Sequence, residues 1–301
     1  MKRYFTVFCL IACFGVCFIS CSKKVTVMND ASRFDSVDSK EAIEKTSVSR
    51  ASKNSHEETY SADEKKLISL LSIRPYIISD AKGEASEIAD RILANKQEFL
   101  KDLNAVLLND TEDLFVKADK NTHLSKDFIP KDLVSLHTDK NYDIYRNDLS
   151  LRIPVEIALN KMATAAAIEG IRLVASSTYR SYDYQITVYN RNVAEMGKEA
   201  ADRVSAQPGT SQHQLGTVVD FGSITDDYAN TKAGQWLAKN AATYGWSLSF
   251  PKGYEDVTGY QWECWHYRYL GVPAVKFQQK WFKNIQQYMI EFIYGWKNAK
   301  S

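Results

Sequence analysis

Cysteine is scarce in this 301-residue chain, and scarcest where a fold would need it. Of five cysteines, Cys9, Cys13, Cys17 and Cys21 crowd the start, and only Cys264 lies in the rest. That excludes a disulfide framework for the body of the chain, so its stability must come from a packed core, helped by a metal if one binds. An excess of one charge is missing too: 38 Lys and Arg against 37 Asp and Glu leave a net +1. No broad basic surface results, and nucleic acid is not an expected partner. Histidine is equally rare, five in all. No internal repeat is present. The chain has 45% hydrophobic and 25% charged residues, the composition of a globular protein. Its length allows one or two domains with a sizeable core.

The first residues follow a different pattern. Lys2 and Arg3 precede an apolar run, Tyr4–Ile19, that stops at Ser20 and Cys21. The run falls short of the about 20 residues a spanning helix needs, and no stop-transfer pattern follows. A basic head, a short apolar stretch and small residues at the end predict a secretory signal over 1–20. Phe18-Ile-Ser-Cys21 resembles the lipobox of bacterial lipoproteins, which implies a lipid on Cys21 and a membrane-anchored protein of the cell envelope, facing the periplasm or the exterior. Residues 22–61 hold nine serines, one Phe, one Tyr and no Trp. Such a segment cannot bury enough apolar surface to offset chain entropy, so 21–61 is expected to be a flexible tether.

Helical spacing begins at Ala62, with Leu67, Leu70 and Leu71, then Ile88, Ile92, Leu93, Phe99 and Leu103. A helical segment over 62–112 is expected, either packed on the main domain or standing as a stalk. Pro154 opens a strong helix that Gly170 stops, with Val155, Ala158, Leu159, Met162 and Ala166 on one face. Strands are expected at Ile171–Ser176, Gly216–Phe221, Trp246–Phe250 and Trp262–Leu270, and helices at Tyr182–Met196 and Thr231–Tyr244. An aromatic-rich C-terminal helix is expected over 273–301. Helices and short strands at these spacings predict an α+β domain rather than a doubly wound sheet.

Residues 211–220, SQHQLGTVVD, set His213 seven positions before Asp220 with Gly216 between them. The glycine lets the backbone turn, so both side chains could face one point. A catalytic zinc needs a third protein ligand, and the best remaining candidate is His266 in Glu263-Cys-Trp-His266, among apolar strand residues. Two neutral imidazoles and a carboxylate would leave zinc about +1, able to lower the pKa of a water toward ~7. Glu263 would be free to move that water's proton. Arg180, after a buried strand, could face a substrate carboxylate or a developing oxyanion. Taken singly, each residue has a plainer role: His213 bonding a loop carbonyl, Asp220 capping a turn, His266 satisfied in the core, Arg180 in an ion pair.

The same residues resemble a known family. SQHQLGTVVD is similar to the SxHxxGxAxD motif of VanY-type D-alanyl-D-alanine carboxypeptidases, zinc peptidases sharing an α+β fold with lysostaphin-like enzymes and the hedgehog domain. Glu263-Cys-Trp-His266 matches their ExWH element, and Tyr267-Arg-Tyr-Leu-Gly271 continues it. Ser177-Thr-Tyr-Arg180-Ser-Tyr182 with Gln185 resembles their SGYRSY…Q segment, and Asp127-Phe-Ile-Pro-Lys-Asp-Leu-Val134 their start. The likeness covers about residues 113–271, and a zinc carboxypeptidase domain over 113–272 is expected. Thr178, Val218 and Cys264 depart from the usual glycine, alanine and proline.

The resemblance implies a small antiparallel sheet flanked by helices, with zinc held by His213, Asp220 and His266. It implies Glu263 as catalytic base, Arg180 as a catalytic and substrate-binding cation, and Gln185 and Ser211 as further contacts for the peptide's end. The substrate expected is a peptidoglycan stem peptide losing its terminal D-alanine, and a monomer is expected. Rival readings are an L,D-carboxypeptidase cutting tetrapeptide stems and a non-catalytic, zinc-containing wall-binding lipoprotein. Limited proteolysis of the mature protein should cut first within 22–61 and release a soluble, active fragment starting near Ala62. A protease-resistant 22–61 segment would mean that it is packed.

Overall fold

Pro154 sits in the first turn of the helix Ile153–Ile168, where its missing N–H costs nothing. Val155, Leu159, Met162, Ala163 and Ala166 are fully buried along one face. Gly170, at φ 72°, ends the helix and returns the chain into a strand. The computed structural model describes residues 60–72 and 83–299. The expected signal, Cys21 and nearly all of the expected tether lie outside the described residues.

The helices before the domain are α1 (Ala62–Ser72), α2 (Glu84–Ala94) and α3 (Lys96–Leu108). Then come β1 (Leu133–Ser135), β2 (Asp143–Ile144), β3 (Ser150–Arg152), α4 (Ile153–Ile168), β4 (Val174–Ser177), α5 (Tyr182–Met196) and α6 (Lys198–Val204). A 3₁₀ turn, Gln212–Leu215, leads into β5 (Val218–Phe221), and two more lie at Asp226–Asn230 and Ala241–Tyr244. After β5 follow α7 (Lys232–Asn240), β6 (Trp246–Leu248), the one-turn α8 (Glu255–Thr258), β7 (His266–Tyr269), α9 (Val272–Trp281) and α10 (Gln286–Asn298). Ser181 and Thr231 cap α5 and α7, accepting from the amides of Tyr184 and Gly234 at 3.1 and 3.0 Å.

The α+β expectation holds, with one amendment to the sheet. Its order is β2-β4-β5-β7-β6 and most pairs are antiparallel, but β2 runs parallel to β4 at the edge. A separate antiparallel pair joins β1 to β3. Alternation along the strands sets the two faces. Ala175, Val219, Phe221 and Tyr267 turn inward and pack in one core with α4, Trp236 and Trp246. Asp220, between Val219 and Phe221, therefore points to the other face, and so does His266, its cross-strand partner.

All four expected strands are shorter than their apolar runs: β4 starts only at Val174 and β6 ends at Leu248. Trp262–Leu270 pairs only from His266, because the chain first turns: Glu263 N–H donates to Phe250 O at 3.1 Å and His266 N–H to Glu263 O at 3.2 Å. Gly216 and Thr217 lead into β5 rather than belong to it. The expected C-terminal helix over 273–301 is two helices. Lys283 and Asn284, at φ 51° and 61°, break it, and Gln278 Nε2–H donates to Asn284 O at 2.9 Å across the corner.

The helices α1–α3 are no free stalk. Leu67, Ile88, Ile92, Phe99 and Leu103 are buried with Phe277, Trp281, Phe282, Tyr288 and Phe292 of the C-terminal pair and its corner, a second core. Phe99 is its centre, edge-on to Trp281 and Phe292 at 5.2 and 5.1 Å. Phe99→Ala should cost about 3–5 kcal/mol in urea unfolding. A loss within error of zero would show that these helices do not unfold with the domain.

Candidate active site

The site begins with a turn. Ser211 Oγ accepts from His213 N–H at 3.2 Å and starts the 3₁₀ turn, which Gly216 ends at φ 68°. A side chain there would crowd Arg152 Cγ and Leu133 Cδ2 at 3.0 and 3.1 Å, so glycine suits the position twice over. The turn lifts His213 over β5. Asp220 pairs with Ser177 of β4 on one side and His266 of β7 on the other. The structure thus brings His213, Asp220, His266 and Glu263 together, all buried.

His213 Nε2 lies 3.1 Å from Asp220 Oδ2, and His266 Nδ1 lies 3.0 Å from Asp220 Oδ1. The ligand atoms of these three residues all fall within 4.8 Å of one another. Each imidazole is held by its other nitrogen. His213 Nδ1 is 2.6 Å from Thr178 O, which can only accept, so the proton belongs on Nδ1 and Nε2 keeps its electron pair. His266 Nε2 is 3.3 Å from Gln212 Oε1, the same arrangement with the ring nitrogens exchanged. Apart from His266 Nδ1, Asp220 Oδ1 meets no hydrogen-bond donor among the described residues despite its burial. With His266 neutral, as it must be to bind a cation, both rings keep their protons on the anchored nitrogens and turn their electron pairs toward Asp220, a donor set that fits a cation such as zinc.

Electrostatics agree. Burial works against the charged form of His266, yet Asp220 and Glu263 outweigh it and lift the ring to about 9, so positive charge is drawn to this point. Burial takes His213 the other way, to about 4, and keeps it neutral. Asp220 is ionised well below the usual carboxylate range: burial opposes this, but the two histidines prevail. Burial raises Glu263, whose Oε2 lies 3.3 Å from His266 Nδ1. A raised carboxylate beside a cation site is suited to carrying a proton in both directions.

Arg180 faces this cluster from the loop after β4. Its backbone N–H donates to His213 O at 3.2 Å, which ties the loop to the 3₁₀ turn. Its guanidinium donates to Gln185 Oε1 at 2.8 Å and Ser177 Oγ at 3.3 Å, and lies 4.0 Å from Asp220 Oδ2. Gln185 is anchored in turn, its Nε2–H donating to Ala206 O at 2.6 Å. Gln185 thus aims Arg180, while Ser211 caps the turn and lines the cleft. The cleft measures about 980 Å³, and Arg146, Tyr184 and Arg191 line it farther along. No residue of α1–α3 lines it.

Two of the three departures from the family pattern acquire local reasons. Thr178 Oγ1 accepts from Ser150 N–H at 3.1 Å and its carbonyl holds His213. Cys264 turns away from the ligands, its Sγ 3.7 Å from the carbonyls of Thr225 and Asp226 and packed in the α4 core. Val218 is buried, and nothing in the structure explains its choice over alanine. Gln212 was not singled out by residue type, although it stands inside the histidine motif; its role shows only once β7 lies beside it.

A buried cluster of three candidate metal ligands, a raised carboxylate and an arginine along a peptide-sized cleft together fit a class, a peptidase that works at a chain end. The family model for D-alanyl-D-alanine carboxypeptidase, VanY, matches residues 148–272. The chain is 30% identical over 218 residues to the putative carboxypeptidase YodJ of Bacillus subtilis (strain 168), covering 69% of this chain and 80% of that one. It is 32% identical over 146 residues to a D-alanyl-D-alanine carboxypeptidase of Enterococcus faecalis (strain ATCC 700802 / V583), covering 44% of this chain and 54% of that protein's length. Among solved structures, the LdcB LD-carboxypeptidase superimposes with a TM-score of 0.50 at 31% identity, over 56% of this chain and 85% of that one. The chain belongs to the VanY family of D-alanyl-D-alanine carboxypeptidases and is a hydrolase, a carboxypeptidase.

Burial also raises the Cys264 thiol above its usual range, so it is a poor thiolate. Dilute peroxide should therefore inactivate the parent and Cys264→Ala to the same extent. Selective protection by the alanine would place the thiol in the chemistry after all.

Proposed function

We propose that this chain is a zinc-dependent carboxypeptidase of the cell envelope that removes the terminal D-alanine from peptidoglycan stem peptides. One observation carries the reading: His213 Nε2, His266 Nδ1 and an Asp220 oxygen converge beside Glu263 and opposite Arg180. His213, Asp220 and His266 would hold the ion. When bound there, zinc supplies Lewis-acid activation of water and of the scissile carbonyl.

The chain's own residues do the rest. Glu263 Oε2 takes the proton of the attacking water and, held raised by burial, passes it to the departing amine. Arg180 is half-buried beside Asp220 and aimed by Gln185 and Ser177, so it supplies fixed positive charge for the substrate's terminal carboxylate or the developing oxyanion. Arg146 and Arg191 also line the cleft, but each is paired with a carboxylate, Asp148 at 2.7 Å and Glu195 at 4.0 Å, so Arg180 is the cation that favours a peptide with a free carboxylate. The buried Glu263 argues against a purely wall-binding role, since a structural ion needs no such neighbour. The run Lys2–Cys21 supports export and a lipid anchor.

A second reading, an L,D-carboxypeptidase acting on tetrapeptide stems, is supported by the 31% identity with the LdcB LD-carboxypeptidase. Weighing the products from tri-, tetra- and pentapeptide stems separates the two: loss of one alanine from the pentapeptide alone marks D,D cleavage. In the same assay Glu263→Gln should keep zinc and fold but lose turnover by about 10²-fold or more, while His213→Ala should lose the zinc itself. Turnover of Glu263→Gln near the parent rate would remove Glu263 from the mechanism.

A further inference from the structure

His266 is anchored differently from the other histidine. His213 leans on a backbone carbonyl, which no side-chain substitution can remove, whereas His266 leans on a side chain, Gln212 Oε1 at 3.3 Å. Gln212 belongs to the 3₁₀ turn and His266 to β7, so the contact crosses from one element to another. Gln212 is itself held. Ser249 Oγ–H, from the segment after β6, donates to the same Oε1 at 2.8 Å. Ser249 also lies 3.3 Å from Gln286 Oε1 at the start of α10, but one hydroxyl proton serves the nearer acceptor best. All three residues are buried: Gln212 is 7% exposed, Ser249 2% and Gln286 1%. In so dry a place each hydrogen bond is costly to leave unmade.

The direction of these bonds decides what His266 can do. An amide oxygen accepts and never donates, so the ring nitrogen facing it must carry the proton. In the neutral ring that a bound cation requires, the electron pair is then left on Nδ1, toward Asp220 and Glu263. Were the amide reversed, its NH₂ would face the ring and force the proton onto Nδ1, where it would block a metal. We propose that Gln212, pinned by Ser249, is a positioning residue that sets the ring orientation and tautomer of His266 and so tunes the affinity of the metal site. This rests on the zinc reading above. Gln212 touches no reacting atom; it acts through His266.

The test is zinc affinity of the full-length protein, measured by competition with a chromophoric chelator, with thermal melting of each variant as the control for folding. Gln212→Leu, of similar volume but without an acceptor, should bind zinc about 10- to 100-fold more weakly. Gln212→Glu keeps an oxygen that only accepts and should stay within a few-fold of the parent, a rescue that a packing role would not give. Ser249→Ala should weaken zinc several-fold, and in the double variant with Gln212→Leu it should add nothing further, because it acts through the amide. If Gln212→Leu fails to fold, the contrast between Ser249→Ala and Gln212→Glu carries the same test. Parent-like zinc affinity in Gln212→Leu, or full additivity in the double variant, overturns the proposal while the zinc reading stands. A parent that takes up no zinc overturns both.

Discussion

The site depends on one cross-strand pair. Asp220 of β5 stands opposite His266 of β7, and in an antiparallel ladder directly opposed residues project to the same side with Cβ atoms about 5 Å apart. That spacing lets an aspartate and an imidazole reach one point without strain. A slip of one residue would send Asp220 into the α4 core and Val219 to the site. The register is protected from such a slip, because Val219, Phe221 and Tyr267 are buried on the opposite face. Packing on one side of the sheet thus secures the chemistry on the other.

Concentrating two carboxylates, two imidazoles and a guanidinium in a buried place is expensive unless each has a partner. The fold supplies the partners before any ligand arrives: Thr178 O and Gln212 for the rings, Gln185 and Ser177 for Arg180. What it leaves over is a deficit of positive charge around Asp220 and Glu263, expressed in the raised His266. The same deficit explains why Arg180 can sit near the ion site without closing it. At 4.0 Å it is an ion pair at the limit of contact with Asp220, with one N–H each given to Gln185 and Ser177 and the others left for a substrate. A cation bound by Asp220 and a substrate carboxylate on Arg180 are therefore compatible.

Much of this was legible because the decisive residues sit in short, local motifs. His213, Gly216 and Asp220 lie within ten residues, and Glu263 and His266 within four, so the geometry between them is set largely by a turn and a strand start. Helix α5 was readable to the residue, bounded as it is by a Ser181 cap and Gly197 at φ 83°. What escaped was non-local or too brief for a pattern. Strand β2 has two residues, Asp143 and Ile144, and no alternation can reveal a parallel pairing of that length. The corner at Lys283 and Asn284 carries neither Gly nor Pro, so an amphipathic pattern runs through it unbroken. The aromatic run from Trp262 looked like continuous strand because burial, not pairing, selects its side chains.

The helices outside the family match bear on the site through packing and not through the cleft. Arg268, two residues after His266 on the same face of β7, is fully buried and donates to Leu114 O and Val116 O at 2.7 Å. Those carbonyls belong to the segment that follows α3, so one guanidinium stitches β7 to the chain leading out of the N-terminal helices. Ser247 of β6 reaches α9 through Gln278 Oε1 at 3.0 Å, and Gln286 of α10 returns a bond to Ser247 O at 3.3 Å. The two strands at this end of the sheet, β7 and β6, are thus each clamped from outside the matched region. An edge strand as short as β6 offers few ladder bonds of its own, and His266 begins the strand that pairs with it. Rigidity at His266 is therefore borrowed from the second core.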